Sequence, residues 1–252
     1  MIRVGHIDFI NTIPFDLEGP DDQAYKKIKG PPTWINQMLL DGEVDIAVIS
    51  VAFFLKHRND LLRIGNLGIV SDGPVMSVML FSSRDLSKCS ANGGLKLYET
   101  TESATSVILN RLILRQAYGV DPVIIPTISD AEAVLLIGNT ALLERQKGRW
   151  DYQYDLGEEW KNLTGLPMVF AVLATRKNVF ENRRKELLEF LELLKKYYRK
   201  SMKDLDPVVA RAKETVPLDD ELLYSYYHGL RYVIDEKEEQ SMALFEKLTK
   251  EF

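Results

Sequence analysis

At 252 residues, 46% hydrophobic and 27% charged, the chain has the composition of an ordinary folded protein and the length of one large domain or two smaller ones. Its 32 Lys and Arg against 37 Asp and Glu give a formal net charge of −5, which excludes a global attraction to nucleic acid or to an anionic membrane, so any bound anion must be met by local donors. One cysteine, Cys89, excludes an internal disulfide and a CxxC motif, no apolar run approaches the roughly 18 residues needed to span a bilayer, and the opening MIRVGHIDFI lacks a signal-peptide pattern, so the chain reads as cytoplasmic.

In chain order, Arg3–Ile7 reads as a first strand, followed by a loop over Asp8–Pro14. Pro31 and Pro32 open a helix that runs to about Leu40, with Trp34, Ile35, Met38 and Leu39 on its apolar face and Gly42 as its stop. Val44–Ser50 (VDIAVIS) is apolar enough for a strand buried on both faces. Val75–Ser82 and Met168–Thr175 are two more such strands. Between them Leu95–Tyr98 reads as a strand, Ser103–Tyr118 as a helix ended by Gly119, Val123–Ile125 and Ala133–Ile137 as strands, and Asn139–Arg145 as a helix. Beyond residue 178 the pattern is almost wholly helical. Leu187, Leu188, Phe190, Leu191 and Leu194 form a stripe on Phe180–Ser201, and further helices are expected near 206–214, 218–229 and 236–250. Alternating strands and helices favour mainly parallel sheets with helices on both faces. The expected organisation is two-lobed: lobe 1 from residues 1–83 and 175–252 including the helical tail, and lobe 2 inserted at 84–174, with a ligand held between them at strand ends.

Four segments concentrate small polar residues at such strand ends. In HIDFINTIPF, Asn11 offers a donor and an acceptor directly after a strand, suited to orienting a hydroxyl or an oxyanion, although Asn11 and Thr12 could equally satisfy loop backbone groups. In SDGPVMS, Asp72 and Gly73 mark a turn, and Ser77 is a hydroxyl in an otherwise apolar strand. In ETTESATS, five Ser and Thr in eight residues exceed what one helix cap requires, so Ser103, Thr105 and Ser106 form a candidate carboxylate or phosphate cradle at a helix N-terminus. In AVLLIGNTAL, Gly138 permits close backbone approach to a ligand or simply a tight turn into Asn139.

Dinucleotide, P-loop and serine-hydrolase glycine motifs are absent, and His6, His57 and His228 are too scattered for a zinc motif. His57 and His228 read as helix-end residues, and only His6 adjoins a polar segment, as a supporting rather than a contacting residue. The charged runs 181–200 and 236–251 read as solvated helix faces.

Taken together, VGHIDFINTIPF, GEVDIAVIS, SDGPVMSVMLFSS, ESATSVIL, AVLLIGNTAL and YDLGEEWKNLTGLPMVFAV resemble the chorismate dehydratases of the futalosine route to menaquinone, in order and spacing over residues 2–178. The helical tail is similar only in general character. The resemblance implies a type 2 periplasmic-binding-protein fold, a small-molecule substrate, no metal and no cofactor. It implies elimination of water from chorismate to give 3-[(1-carboxyvinyl)oxy]benzoate. Asn11 falls on the family's loop asparagine and would assist the departing hydroxyl or fix the reactive pose. Ser103, Thr105 and Ser106 would hold a substrate carboxylate, with Ser50, Ser77, Gly138 and Asn139 lining the cleft. His6, Thr12, Asp72 and Gly73 would support them. Relatives can carry an Arg within the third motif where this chain has Ala104. His6, Asp8, Asp72, Glu99 and Glu102 form no diagnostic base constellation, which leaves the substrate's own enolpyruvyl carboxylate as a candidate base.

Two other functions remain open on the same fold. A dihydroxynaphthoate synthase of the sister family is expected to use a second-lobe His, and none occurs between His57 and His228. A non-catalytic binding protein for a small organic anion would share the cleft. Nucleic-acid and membrane partners are not expected, and both a monomer and a homodimer are compatible with the sequence.

Overall fold

The computed structural model describes residues 1–16, 25–89 and 94–250. In chain order its elements are β1 (Ile2–Ile7), a 3-10 turn (Ile10–Phe15), β2 (Tyr25–Gly30), α1 (Pro32–Asp41), β3 (Ile46–Ser50), α2 (Val51–Lys56), β4 (Leu61–Ser71), β5 (Val78–Ser82) and β6 (Lys96–Glu99). They continue with α3 (Ala104–Tyr118), β7 (Val123–Ile124), β8 (Ala133–Ile137), α4 (Gly138–Lys147), β9 (Tyr152–Asp155), α5 (Leu156–Thr164), β10 (Met168–Arg176), α6 (Lys177–Lys203), α7 (Asp206–Thr215), α8 (Asp220–Gly229), β11 (Leu230–Val233) and α9 (Glu236–Leu248).

Two sheets result. One has the order β2-β1-β3-β10-β4-β11, the other β7-β6-β8-β5-β9. β1 pairs in parallel with β2 and β3, and β6 with β7 and β8, while β10 and β5 join antiparallel. The sheets are therefore mixed, with the parallel pairing confined to three strands of each. The reason is that β4 and β10, the strands that leave and re-enter the first sheet, run against each other along a shared edge. Sheet membership changes at 72–77 and again over 156–167, ahead of the limits expected at 84 and 174.

Local chemistry accounts for the elements. α1 starts on Pro32, whose missing N–H would have no helical partner anyway, and ends on Gly42 in the left-handed region (φ 89°). α3 is capped by the Ser103 side chain and stopped by Gly119 (φ 64°). The α6 stripe packs inward through Leu187, Phe190, Leu191 and Leu194, but Leu188 is 40% exposed, one step off the buried face. Several elements carried no clear sequence signal. β2 (YKKIKG) is a lysine-rich edge strand. β4 is interrupted by Gly65 and Gly68, and at Gly68 a Cβ would lie 2.5 Å from the Ala171 carbonyl. β11 follows α8 without a break inside a tail expected to be helical. His57 ends α2 against Phe53, and His228 sits exposed in the last turn of α8, as expected of both.

Candidate active site

The ends of β1, β3, β8 and β10, together with the segment between β4 and β5, converge on a cleft between the two sheets. Its walls are apolar: Ile7, Val48, Ile69, Val78, Ile137 and Phe170 contribute most of them. Set into these walls are Asn11 and Thr12 from the 10–15 turn, Ser50, Ser77, Ser103, Ser106 and Gly138. Pro32, Ser103 and Gly138 bring the starts of α1, α3 and α4 to the same space, so the positive ends of three helices point at it. Among the described residues, no Asp, Glu, His, Lys, Arg, Cys or Tyr side chain lines the cleft.

The serines share a hydrogen-bonding pattern. Ser103 Oγ accepts from the Ser106 N–H (3.2 Å) and from the Ser106 hydroxyl (3.0 Å). Ser50 Oγ accepts from the Asn36 amide, and the Ser50 N–H donates back to Asn36 Oδ1, both at 3.4 Å. Ser77 Oγ accepts from the Tyr226 hydroxyl at 3.0 Å. A hydroxyl has one proton and two acceptor sites. With an acceptor site used by the scaffold, Ser50, Ser77 and Ser103 keep their protons to offer into the cleft, whereas Ser106 spends its own on Ser103. Asn11 adds a buried carboxamide oxygen with no hydrogen-bond partner among the described residues.

The other expected residues take different places. Thr12 lines the cleft, but its hydroxyl donates to the carbonyls of Ile7 (2.9 Å) and Phe9 (2.8 Å) and closes the turn that carries Asn11. Thr105 is fully buried away from the cleft, and its Oγ accepts from the Ala52 N–H at 3.0 Å, fastening α2 to α3. Asn139 does not line the cavity. It bridges the lobes at the cleft edge, with Oδ1 accepting from the Ile10 N–H (3.1 Å) and the amide donating to the Asp8 carbonyl (3.3 Å). Gly138, at φ 58°, lies under the Phe9 ring, where a Cβ would come within 2.7 Å of it.

His6 faces away from this cleft, into a second cavity behind the 10–15 turn, beside the buried Asp16 (3.8 Å). Burial pushes the His6 imidazole below its usual pKa, with Asp16 pulling the other way. Asp16 would itself be raised by burial, but His6, Lys27 and Arg211 hold it below the usual carboxylate range. Asp72 pairs with Lys161 at 2.6 Å on the surface and Gly73 (φ 118°) turns the chain beside it, so both shape the crossing rather than the cleft. Glu99 is tied to Arg111. Neither Asp8 nor Glu102 lines the cavity.

Four supporting residues were not anticipated from the sequence. Tyr226 and Tyr227 on α8 reach Ser77 and the Ile10 carbonyl (2.8 Å) respectively, so the C-terminal tail braces the cleft at two points. Asp155 accepts from the N–H groups of Val75 (2.9 Å), Met76 (2.6 Å), Gly157 (3.0 Å) and Glu158 (3.3 Å), fixing the segment that presents Ser77. Asn36 braces Ser50. The adjacent tyrosines of YSYYHGL were the available signal, since a buried tyrosine hydroxyl needs a partner.

The model of a family described as menaquinone biosynthesis matches residues 2–251. The chorismate dehydratase of Thermus thermophilus is 28% identical over 245 residues, covering 88% of this chain and 86% of that protein, in line with the motif resemblance. A crystal structure of an Archaeoglobus fulgidus protein superimposes with a TM-score of 0.74 at 16% identity, over 99% of this chain and 97% of that one. A Candida albicans protein described as having the generic periplasmic-binding-protein fold gives 0.72 at 12% identity, over 100% and 90%. The aliphatic sulphonate-binding protein of Escherichia coli gives 0.71 at 12%, over 100% and 86%. These structures establish the periplasmic-binding-protein fold, and the family match extends over nearly every residue: the chain belongs to the menaquinone biosynthesis family.

Proposed function

We propose that this chain is a chorismate dehydratase, a carbon–oxygen lyase that converts chorismate into 3-[(1-carboxyvinyl)oxy]benzoate and water. The observation that carries the reading is the cleft: uncharged donors in apolar walls, one unpartnered carboxamide oxygen on Asn11 and no ionisable side chain in the lining. The 28% identical relative named chorismate dehydratase supports it.

The ring proton that is lost lies vinylogous to the ring carboxylate, so its removal spreads negative charge onto that carboxylate. Serine hydroxyls and helix N-terminal N–H groups stabilise such charge without adding a base of their own. Ser50 and Ser103 are assigned this task, while Ser77 holds a substrate carboxylate equally in the ground and transition states. Among the described residues the lining offers no protein base, and the proton goes to the substrate's enolpyruvyl carboxylate. The ring C–O bond then breaks, the departing hydroxide leaves as water with that proton, and the ring becomes aromatic. Asn11 Oδ1 accepts the hydrogen bond of the leaving hydroxyl and holds it in the pose for elimination. A cytoplasmic site of action belongs to the same proposal; among the described residues no helix is long and apolar enough to cross a membrane.

The deciding experiment incubates the purified protein with chorismate, follows loss of the diene absorbance and identifies the product by mass. Folded protein that leaves chorismate intact would overturn the proposal. Binding of chorismate without turnover would favour the anion-binding function instead.

A further inference from the structure

We propose that Tyr226, contributed by the C-terminal tail, is a positioning residue for carboxylate binding: its hydroxyl donates to Ser77 Oγ and thereby commits the Ser77 proton to the cleft. The proposal rests on the dehydratase reading only for its choice of substrate. Tyr226 and Ser77 are both buried, 1% and 2% exposed, and their oxygens are 3.0 Å apart. Two hydroxyls share one contact, and the direction follows from counting acceptors. If Ser77 donated, the phenolic proton of Tyr226 would be buried without an acceptor, a costly arrangement. If Tyr226 donates, its proton is placed, and the Ser77 proton points to the cleft that Ser77 lines. The phenol is also the more acidic of the two groups and hence the better donor. Burial keeps Tyr226 protonated, since it pushes the phenol far above its usual value.

The backbone around Ser77 leaves little freedom to rearrange. Met76 stands at φ 62°, the only non-glycine residue in the left-handed region among those described, and its N–H is held by Asp155. The Ser77 carbonyl accepts from the Gly138 N–H at 2.7 Å. A Ser77 so fixed points its donor into the cleft, which favours an anionic oxygen over a cationic group.

The test is a double-mutant cycle in the full-length protein with Tyr226→Phe, Ser77→Ala and both together. Each single change is expected to raise the KM for chorismate about tenfold, the value of one hydrogen bond, while kcat moves less than threefold. The double variant is expected to be no worse than Ser77→Ala, because the phenol acts only through the serine. Tyr226→Phe keeps its ring against Tyr227 and is expected to unfold within a few degrees of wild type, so a purely structural role would leave KM unmoved. A wild-type protein inactive on chorismate would overturn the dehydratase reading alone. The same four proteins are then titrated with benzoate by calorimetry, where the Kd is expected to show the same non-additive weakening. Additive losses, an unchanged affinity in Tyr226→Phe, or no benzoate binding by wild type would overturn the role of Tyr226.

Discussion

Asn11 shows how one side chain can be poorly satisfied and still well placed. Its carboxamide oxygen is buried without a partner, a state that costs stability and persists where a ligand completes it. Asn11→Ala is expected to lower kcat about 10²- to 10³-fold, the typical loss for one group aimed at a reacting oxygen, with KM changing little. The unfolding temperature is expected to stay level or rise, since the orphaned acceptor is gone. Steady-state kinetics and thermal unfolding of the same preparation check both halves, and unaltered kcat would remove Asn11 from the chemistry. Asn11 was named from the sequence as a small amide directly after a strand, where capping loop backbone groups was an equally open use, and in the structure its carboxamide lines the cleft. Thr105 was misplaced there for a reason that helix geometry supplies. Ser103 and Ser106 are three apart and share a face, whereas Thr105 is turned nearly to the opposite side. Counting hydroxyls in ETTESATS marked the segment, and counting degrees around α3 separates the two that line the cleft from the one that fastens α2.

The elements that were legible are those whose own residues punctuate them: α1 between Pro32 and Gly42, α3 between Ser103 and Gly119, and β8 running into Gly138. Those that were not owe their form to neighbours. β4 exists because β10 and β11 pair with it despite Gly65 and Gly68, and β11 exists because β4 offers an edge. One junction between elements makes a quantitative prediction. Asp45, just before β3, is 2% exposed and accepts from the Arg3 N–H (2.9 Å) and guanidinium (2.5 Å) and from Arg183 at the start of α6 (3.0 Å). Burial alone would raise its carboxyl, but Arg3 and Arg183 hold it below the usual range. A depressed folded pKa means that the stabilisation is present above the unfolded value of about 3.9 and is lost as pH falls through the folded one. Asp45→Asn is expected to cost roughly 3 kcal/mol at pH 7, because it leaves arginines without their counter-charge. The gap between variant and wild type should close as the pH drops below about 4. Urea unfolding at pH 7 and pH 3 measures it, and a gap that ignores pH would assign the stabilisation to packing.

Across the whole molecule, elements of the two sheets touch across the cleft. Phe9 of the first covers Gly138 of the second, and Asn139 clasps the backbone of residues 8 and 10. The clasp belongs to the turn that carries Asn11, so in the proposed mechanism closing the lobes and setting Asn11 would be one event. For the proposed elimination, whose intermediate is a delocalised anion, closure would also exclude water. Two hydrogen bonds of about 1 kcal/mol each bias the closed state by roughly thirtyfold over an open one. Removing them in Asn139→Ala is therefore expected to open the ligand-free protein, seen in solution scattering as a radius of gyration above the roughly 18 Å of a compact chain of this length. Saturating 3-[(1-carboxyvinyl)oxy]benzoate is expected to restore the compact value, because contacts from both lobes to one ligand replace the lost clasp. Asn139→Ala should accordingly weaken ligand binding while leaving the bound structure closed. Equal dimensions for wild type and variant, with and without ligand, would mean that the lobes are locked by the Phe9–Gly138 contact and the braces of α8, and that substrate enters without domain motion.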